Sequence, residues 1–374
     1  MSCASLDDLP APPKEETGWP WTEQTDPLPE TQPSGEPWPK ISIVTPSYNQ
    51  GRFLEETIRS ILLQGYPNLE YIVIDGGSTD ESEDVIKKYE PWIEYWVSED
   101  DRGQTHAINK GLEQCTGDVF NWVNSDDYLA RGALSVVGER FAASTPPEVL
   151  CGYNRRFDSE TGKTVKYVRL FLSETPGRSV AKHRFIQTST YYRMDVVQSL
   201  GPFDEDLHYN MDKEYFIRYI LQRGQKYVSF TDEVLSHFRL HDSSKTVSES
   251  KEHEDGKIEV YEQVLRALSI GSPLHTERDG KMKKVERWKP KSVNRRKAIG
   301  SICIYLARKY ATRGDFVLYR HWLTCRAIWA EPWRQAARYR YIVGAILYPE
   351  LYQKLKRKTF LSSISNDSVS DEWK

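Results

Sequence analysis

The sequence predicts an α/β fold: a mostly parallel sheet with helices on both faces, and a hairpin added to it. Three observations lead there. Short β-rich runs recur at 41–45, 71–75, 93–98 and 118–124. The segments between them carry apolar residues at helical spacing, and strand–helix–strand repetition of this kind builds parallel sheets. Residues 149–170 break the rhythm and read as two strands joined by an Asp-Ser-Glu-Thr-Gly turn.

The elements follow in order. Residues 1–39 hold nine of the twenty prolines, interleaved with acids and with Trp19, Trp21 and Trp38. Such a stretch forms neither helix nor central strand, so it is expected to be an extended arm, with two readings open: its tryptophans laid in part on the globule, or full disorder. At "ISIVT" (41–45) the first strand begins. "RFLEETIRSILLQG" places Leu54, Ile58, Ile61 and Leu62 on one helical face and closes at Gly65. "YIVID" (71–75) is the second strand, and Ser78 with Glu81 three residues on has the spacing of a capping box for the next helix. "IEYWVS" (93–98), the helix "GQTHAINKGLEQC" and the strand "DVFNWVN" (118–124) continue the alternation. A helix is expected near 131–141 and another from about Asp212. "KYVSF" and "EVLSHFRLH" follow, and helical periodicity runs from about 250 to the end, interrupted by a basic connector at 278–297. The expected domains are the arm (1–39), an α/β catalytic domain (40–250) and a helical C-terminal region (251–374).

Bulk properties exclude several classes. A formal charge of −3 gives no sign of a nucleic-acid binder. The five scattered cysteines, with no CxxC pair, suit reduced thiols and a cytoplasmic compartment. The N-terminal stretch lacks a basic region followed by an apolar one, and no run approaches the ~18 apolar residues of a membrane span. Any membrane contact is therefore expected to be peripheral. There is no G-x-G-x-x-G after the first strand and no G-x-x-x-x-G-K-[ST], which disfavours a dinucleotide-binding dehydrogenase and a P-loop NTPase.

In parallel sheets of this kind ligands bind beyond the carboxyl ends of the strands. Three groups fall there: Thr45-Pro46-Ser47-Tyr48, Asp75, and the adjacent Asp126 and Asp127. Two carboxylates side by side repel each other, and at a strand tip they need a cation, hydrogen bonds or water. From the residues alone two readings stand: hard oxygen ligands for Mg²⁺ or Mn²⁺, or an Asp-Asp turn capping the helix at 131–141.

In combination, "ISIVTPSYNQGRFLEETIRSILLQGYPNLEYIVIDGGSTDES", "SEDDRGQTHAINKGLEQCTGDVFNWVNSDDYL" and "YNMDKEYFIRYI" resemble the inverting family 2 glycosyltransferases, which have the GT-A fold. The resemblance covers about residues 40–245. It implies that Pro46, Tyr48 and Asp75 hold the nucleotide, that Arg102, Gly103 and Gln104 lie along it, and that Asn124-Ser125-Asp126-Asp127 is the DXD-type motif. Asp127 is then expected to ligate the metal, with Asp126 as partner of ribose or metal water. Asn124 stands where relatives often carry Asp. The same resemblance makes Asp212 the base that takes the proton of the acceptor hydroxyl, with Glu214 as competitor. In "FRLHDSSKT" it suggests His241 for metal or phosphate, and Arg239 and Lys245 for phosphate charge. One base and no covalent nucleophile gives inversion.

The implied activity is sugar transfer from a nucleoside-diphosphate sugar, by preference a UDP-sugar, to a glycan or lipid-linked acceptor in polysaccharide or cell-envelope synthesis. Two rivals are a nucleotide-sugar-binding scaffold and a nucleotidyltransferase. Asp212 argues against the first, and the lack of a lysine in "TPSYNQGRF" against the second. In the C-terminal third, 305–332 reads as a helical hairpin turning at Gly314-Asp315. The basic, aromatic segment 334–360 would suit the inner face of a membrane or a helix packed on the protein.

Overall fold

The computed structural model describes residues 4–242, 250–268 and 293–315, with Leu318 and Trp322. Two compact units divide the chain, residues 1–292 and 293–374.

The first unit is built on one large sheet. Strands β1 (Ile41–Ser47), β2 (Leu69–Asp75), β3 (Tyr95–Ser98) and β4 (Val119–Trp122) are mutually parallel in the order β3-β2-β1-β4. Helices α1 (Gly51–Leu62), α2 (Ser82–Tyr89) and α3 (Gln104–Gln114) make the crossovers. β1 is buried throughout and β2 nearly so, as sheets covered on both faces require, and this is why both read as almost unbroken apolar runs. α3 lies directly on the sheet: a Cβ on Gly111 would sit 2.4 Å from Val44 Cγ1, so only glycine fits. The register aligns Ser47 with Asp75 and Asp75 with Ser98, bringing the first three strand tips level.

Beyond β4 the sheet becomes mixed. The short strand β5 (Tyr128–Leu129) and helix α4 (Ala133–Phe141) are followed by the expected hairpin, β6 (Val149–Asp158) and β7 (Thr164–Arg169), paired antiparallel. A small sheet of β8 (Phe171–Leu172) and β9 (His183–Arg184) flanks helix α5 (Pro176–Ser179). Strand β10 (Thr190–Arg193) leads into α6 (Met194–Leu200) and α7 (Met211–Arg223), and β11 (Val228–Leu240) closes the sheet. The full order is β3-β2-β1-β4-β10-β6-β11-β5, with β7 attached to β6. Helix α8 (Ser250–Ala267) also belongs to this unit.

The N-terminal arm packs against the core. Leu9, Trp21 and Trp38 are buried, and Trp19 Nε1 donates to Leu129 O at 2.8 Å. Its anchor is Arg59 of α1, fully buried, whose guanidinium donates to the carbonyls of Pro10 (2.8 Å), Pro20 (3.1 Å) and Trp21 (2.8 Å) and to Tyr89 Oη (3.1 Å). An arginine on the buried face of α1 is tolerated because proline-rich chain offers carbonyls that no local N–H satisfies.

One local expectation is corrected. The capping box does not form: α2 starts at Ser82 without a side-chain cap, and Ser78 bonds Asp75 instead. "KYVSF" and "EVLSHFRLH" join in the single strand β11, whose register against β6 shifts twice, between Phe230 and Ser236.

The second unit contributes α9 (Arg295–Arg313), capped by Asn294, whose side chain accepts from Lys297 N at 3.1 Å, and ended by Gly314 at φ 78°. The basic segment 334–360 and most of 314–332 lie outside the described residues, as does Lys245. Among the described residues no helix is long and apolar enough to cross a membrane, and Cys115, Cys151 and Cys303 are free thiols.

Candidate active site

A cavity of about 780 Å³ opens beyond the carboxyl ends of β1 and β4. At one end Pro46, Ser47 and Tyr48 meet Gly76 and the pair Asp100–Asp101. The floor is Asn124-Ser125-Asp126. At the far end stand Arg156 of β6, the 185–188 segment, and Asp212 at the start of α7 with His208 and His253.

Each expected residue has a definite place. Pro46 and Tyr48 line the cavity, and the Tyr48 ring is 62% exposed, an open face for stacking. Gly103 and Gln104 line it as well, and Gln104 Nε2 donates to Asn124 Oδ1 at 2.7 Å, fixing that side chain. Asp126 and Asp212 face the cavity.

The expected residues Asp75, Arg102 and Asp127 are not among those that line the cavity. Asp75 is fully buried and its carboxylate is already occupied: it accepts from Ser78 N (2.8 Å), Ser78 Oγ (2.6 Å) and Ser98 Oγ (2.7 Å). It ties the β2 turn to β3, and the carboxylates that line this end are Asp100 and Asp101. Arg102 turns away to pair with Glu205 at 2.5 Å. Asp127, expected on a metal, is 1% exposed behind the wall. Its Oδ1 accepts from Arg239 N at 3.0 Å, while Oδ2 is buried without a protein partner. Burial and the charge of Asp126 push the Asp127 carboxyl well above the usual range. Asp126 alone of the pair reaches the cavity.

The surroundings of Asp126 are built by β11. Arg239 donates from Nε to Asp126 O at 3.0 Å and pairs with Glu56, so its charge is spent inside the wall and not on a ligand. His241 Nε2 lies 3.0 Å from Asp126 Oδ2. That separation is a hydrogen bond or ion pair, and it can be compared with the spacing of ligands on a divalent ion. Two neighbouring ligands of an octahedral ion at about 2.1 Å stand about 3 Å apart, so Asp126 and His241 suit an ion that keeps its remaining positions for water and phosphate. Among the described residues no cluster of three or more His, Cys, Asp or Glu is formed.

Asn210, at φ 61°, precedes α7, and its Nδ2 donates to His253 O at 2.9 Å, joining α8 to this end. Burial raises the Asp212 carboxyl above its ordinary value, against the backbone N–H of Lys213 and the charges of His253 and Lys213. Glu214 is 2% exposed, in a two-pronged pair with Arg218 at 3.1 and 2.6 Å. Sequence reasoning missed Asp100, Asp101, Arg156, His208 and His253. The first two stand in the quoted "SEDDRGQ", where the adjacent pair was a signal; the others come together only through the chain's return.

Residues 42–201 match the family model described as glycosyl transferase family 2. An uncharacterized glycosyltransferase of Mycobacterium tuberculosis is 29% identical over 186 residues, covering 48% of this chain and 68% of that protein. The putative teichuronic acid biosynthesis glycosyltransferase TuaG of Bacillus subtilis is 37% identical over 99 residues, 26% of this chain and 39% of that protein. Among solved structures, S. aureus TarS superposes with a TM-score of 0.50 at 17% identity, covering 79% of this chain and 50% of its own. This last likeness is one of fold, and the architecture is the expected GT-A one.

Proposed function

We propose, from the family 2 glycosyltransferase domain that residues 42–201 form, that this chain transfers a sugar from a nucleoside-diphosphate donor to a hydroxyl acceptor with inversion. The observation that carries the reading is a single cavity lined by two carboxylates, Asp126 and Asp212, with His241 Nε2 3.0 Å from Asp126 Oδ2. Tyr48 offers a stacking face for the base, with Asp100 and Asp101 as acceptors for its N–H groups. Asp126 and His241 would hold Mn²⁺ or Mg²⁺, which when bound neutralises diphosphate charge.

The chain's own groups account for the remainder. As the acceptor oxygen bonds to the anomeric carbon, the bond from that carbon to the phosphate oxygen breaks and its electron pair leaves with the diphosphate. Asp212 takes the hydroxyl proton. Its raised pKa suits the task, because a carboxylate that holds a proton more tightly is a stronger base. A single base with no nucleophile on the opposite side inverts the centre. The donor is by preference a UDP-sugar, and the acceptor a glycan or lipid-linked glycan of the cell envelope; the relation to a teichuronic acid enzyme supports the second half of that reading.

Calorimetric titration of UDP, GDP and dTDP, each with Mn²⁺ and with chelator, tests it. Selective binding that needs the metal is expected. Absence of binding by all three would return the strand-tip aspartates to the role of a turn.

A further inference from the structure

Arg156 is the one lysine or arginine among the described residues that line the cavity, whose lining also includes the carboxylates of Asp100, Asp101, Asp126 and Asp212. Its guanidinium lies over the Phe238 ring at 5.0 Å, and its Nε is buried without a hydrogen-bond partner. Arginine is rarely withdrawn from water without a carboxylate to bind, and a buried donor left open costs free energy that a ligand recovers. Burial lowers the pKa of this side chain; Asp127 opposes that and Arg184 reinforces it.

Position narrows the ligand. Arg156 pairs in register with Phe238 of β11; His241, three residues on and just past that strand's end, is the group against Asp126. The guanidinium therefore belongs to the Asp126 part of the cavity and not to the end formed by Tyr48 and Gly76. If the base lies at that end, the group that reaches Arg156 is the one beyond the first phosphate.

We propose that Arg156 binds the sugar-side phosphate of the donor and receives the negative charge that develops there as the glycosidic bond breaks. This rests on the nucleotide-sugar reading above. A planar guanidinium held by an aromatic face is preorganised to donate in parallel to two phosphate oxygens, as a lysine is not.

The test compares wild type, Arg156→Gln and Arg156→Lys for binding of UDP, GDP and dTDP against the corresponding monophosphates, with Mn²⁺ present. Arg156→Gln should weaken the diphosphate by about 10–100-fold while the monophosphate is unaffected, and Arg156→Lys should recover part of the loss. Thermal melting checks that the variants fold, as expected for a side chain whose Nε makes no hydrogen bond in the protein. Equal diphosphate binding by wild type and Arg156→Gln overturns the assignment while leaving the nucleotide reading intact. If in that case only UDP-glucuronate weakens relative to UDP-glucose, the arginine serves a sugar carboxylate. A wild type that binds no diphosphate overturns the nucleotide reading itself, and this assignment with it.

Discussion

Asp127→Asn and Asp126→Asn should part company, although the two residues are neighbours. Asp127 is 1% exposed; Oδ1 accepts Arg239 N–H, which an asparagine preserves, and Oδ2 has no protein partner. A buried unpaired polar atom costs about 1–3 kcal/mol, and a charged one more. Exchanging that oxygen for a neutral amide, and removing the repulsion from Asp126, should therefore stabilise the protein by about 1–2 kcal/mol. At roughly 2–4 °C per kcal/mol for domains somewhat smaller than this unit, the melting temperature should rise by about 2–8 °C.

The sign of the pH dependence follows. Because the folded-state pKa of Asp127 is raised above 3.8, the ionised carboxylate disfavours the folded state. The gain in the variant should be absent below the unfolded value and grow as pH rises through the folded one. Differential scanning calorimetry across pH, with Mn²⁺-dependent UDP binding on the same samples, reads both quantities. Asp126→Asn should weaken that binding by at least about 10–100-fold, the loss found even for groups one step removed from a metal. If Asp127→Asn abolishes binding and Asp126→Asn retains it, the reasoning from burial is refuted and the ion belongs on Asp127.

Two further outcomes are expected. Asp212→Asn should leave donor binding near normal and lower turnover by about 10²–10⁴-fold. In the wild type the acid limb of the rate profile should fall as pH drops through a pKa above the ordinary 3.8, and full turnover by the variant would send the search to another base. Arg59→Met strips the donors from three buried carbonyls and should cost about 3–6 kcal/mol at roughly 1–2 for each. Limited proteolysis should then cut the proline-rich arm first, and an arm that remained protected would show that its tryptophans alone hold it.

Read from the sequence, the order of the elements, the helical face of α1, the β6–β7 hairpin and the strand-tip position of the site were all legible, because periodicity and turn chemistry are local properties of the chain. Even the adjacency of Asp126 and Asp127 was visible as a problem needing a cation or a partner. Which carboxylate faces the ligand was not, since both lie in the turn between β4 and β5 and only the packing of β11 decides which is enclosed. Asp75 shows the same limit from the other side. Its strand-tip position was legible, but its occupation by Ser78 and Ser98 depends on β3 lying level with β2. Arg156 and Arg59 were two arginines among many in the sequence. What set them apart was tertiary: one is brought against Phe238 by a strand 82 positions away, the other enclosed by an arm whose prolines leave carbonyls in need of a donor.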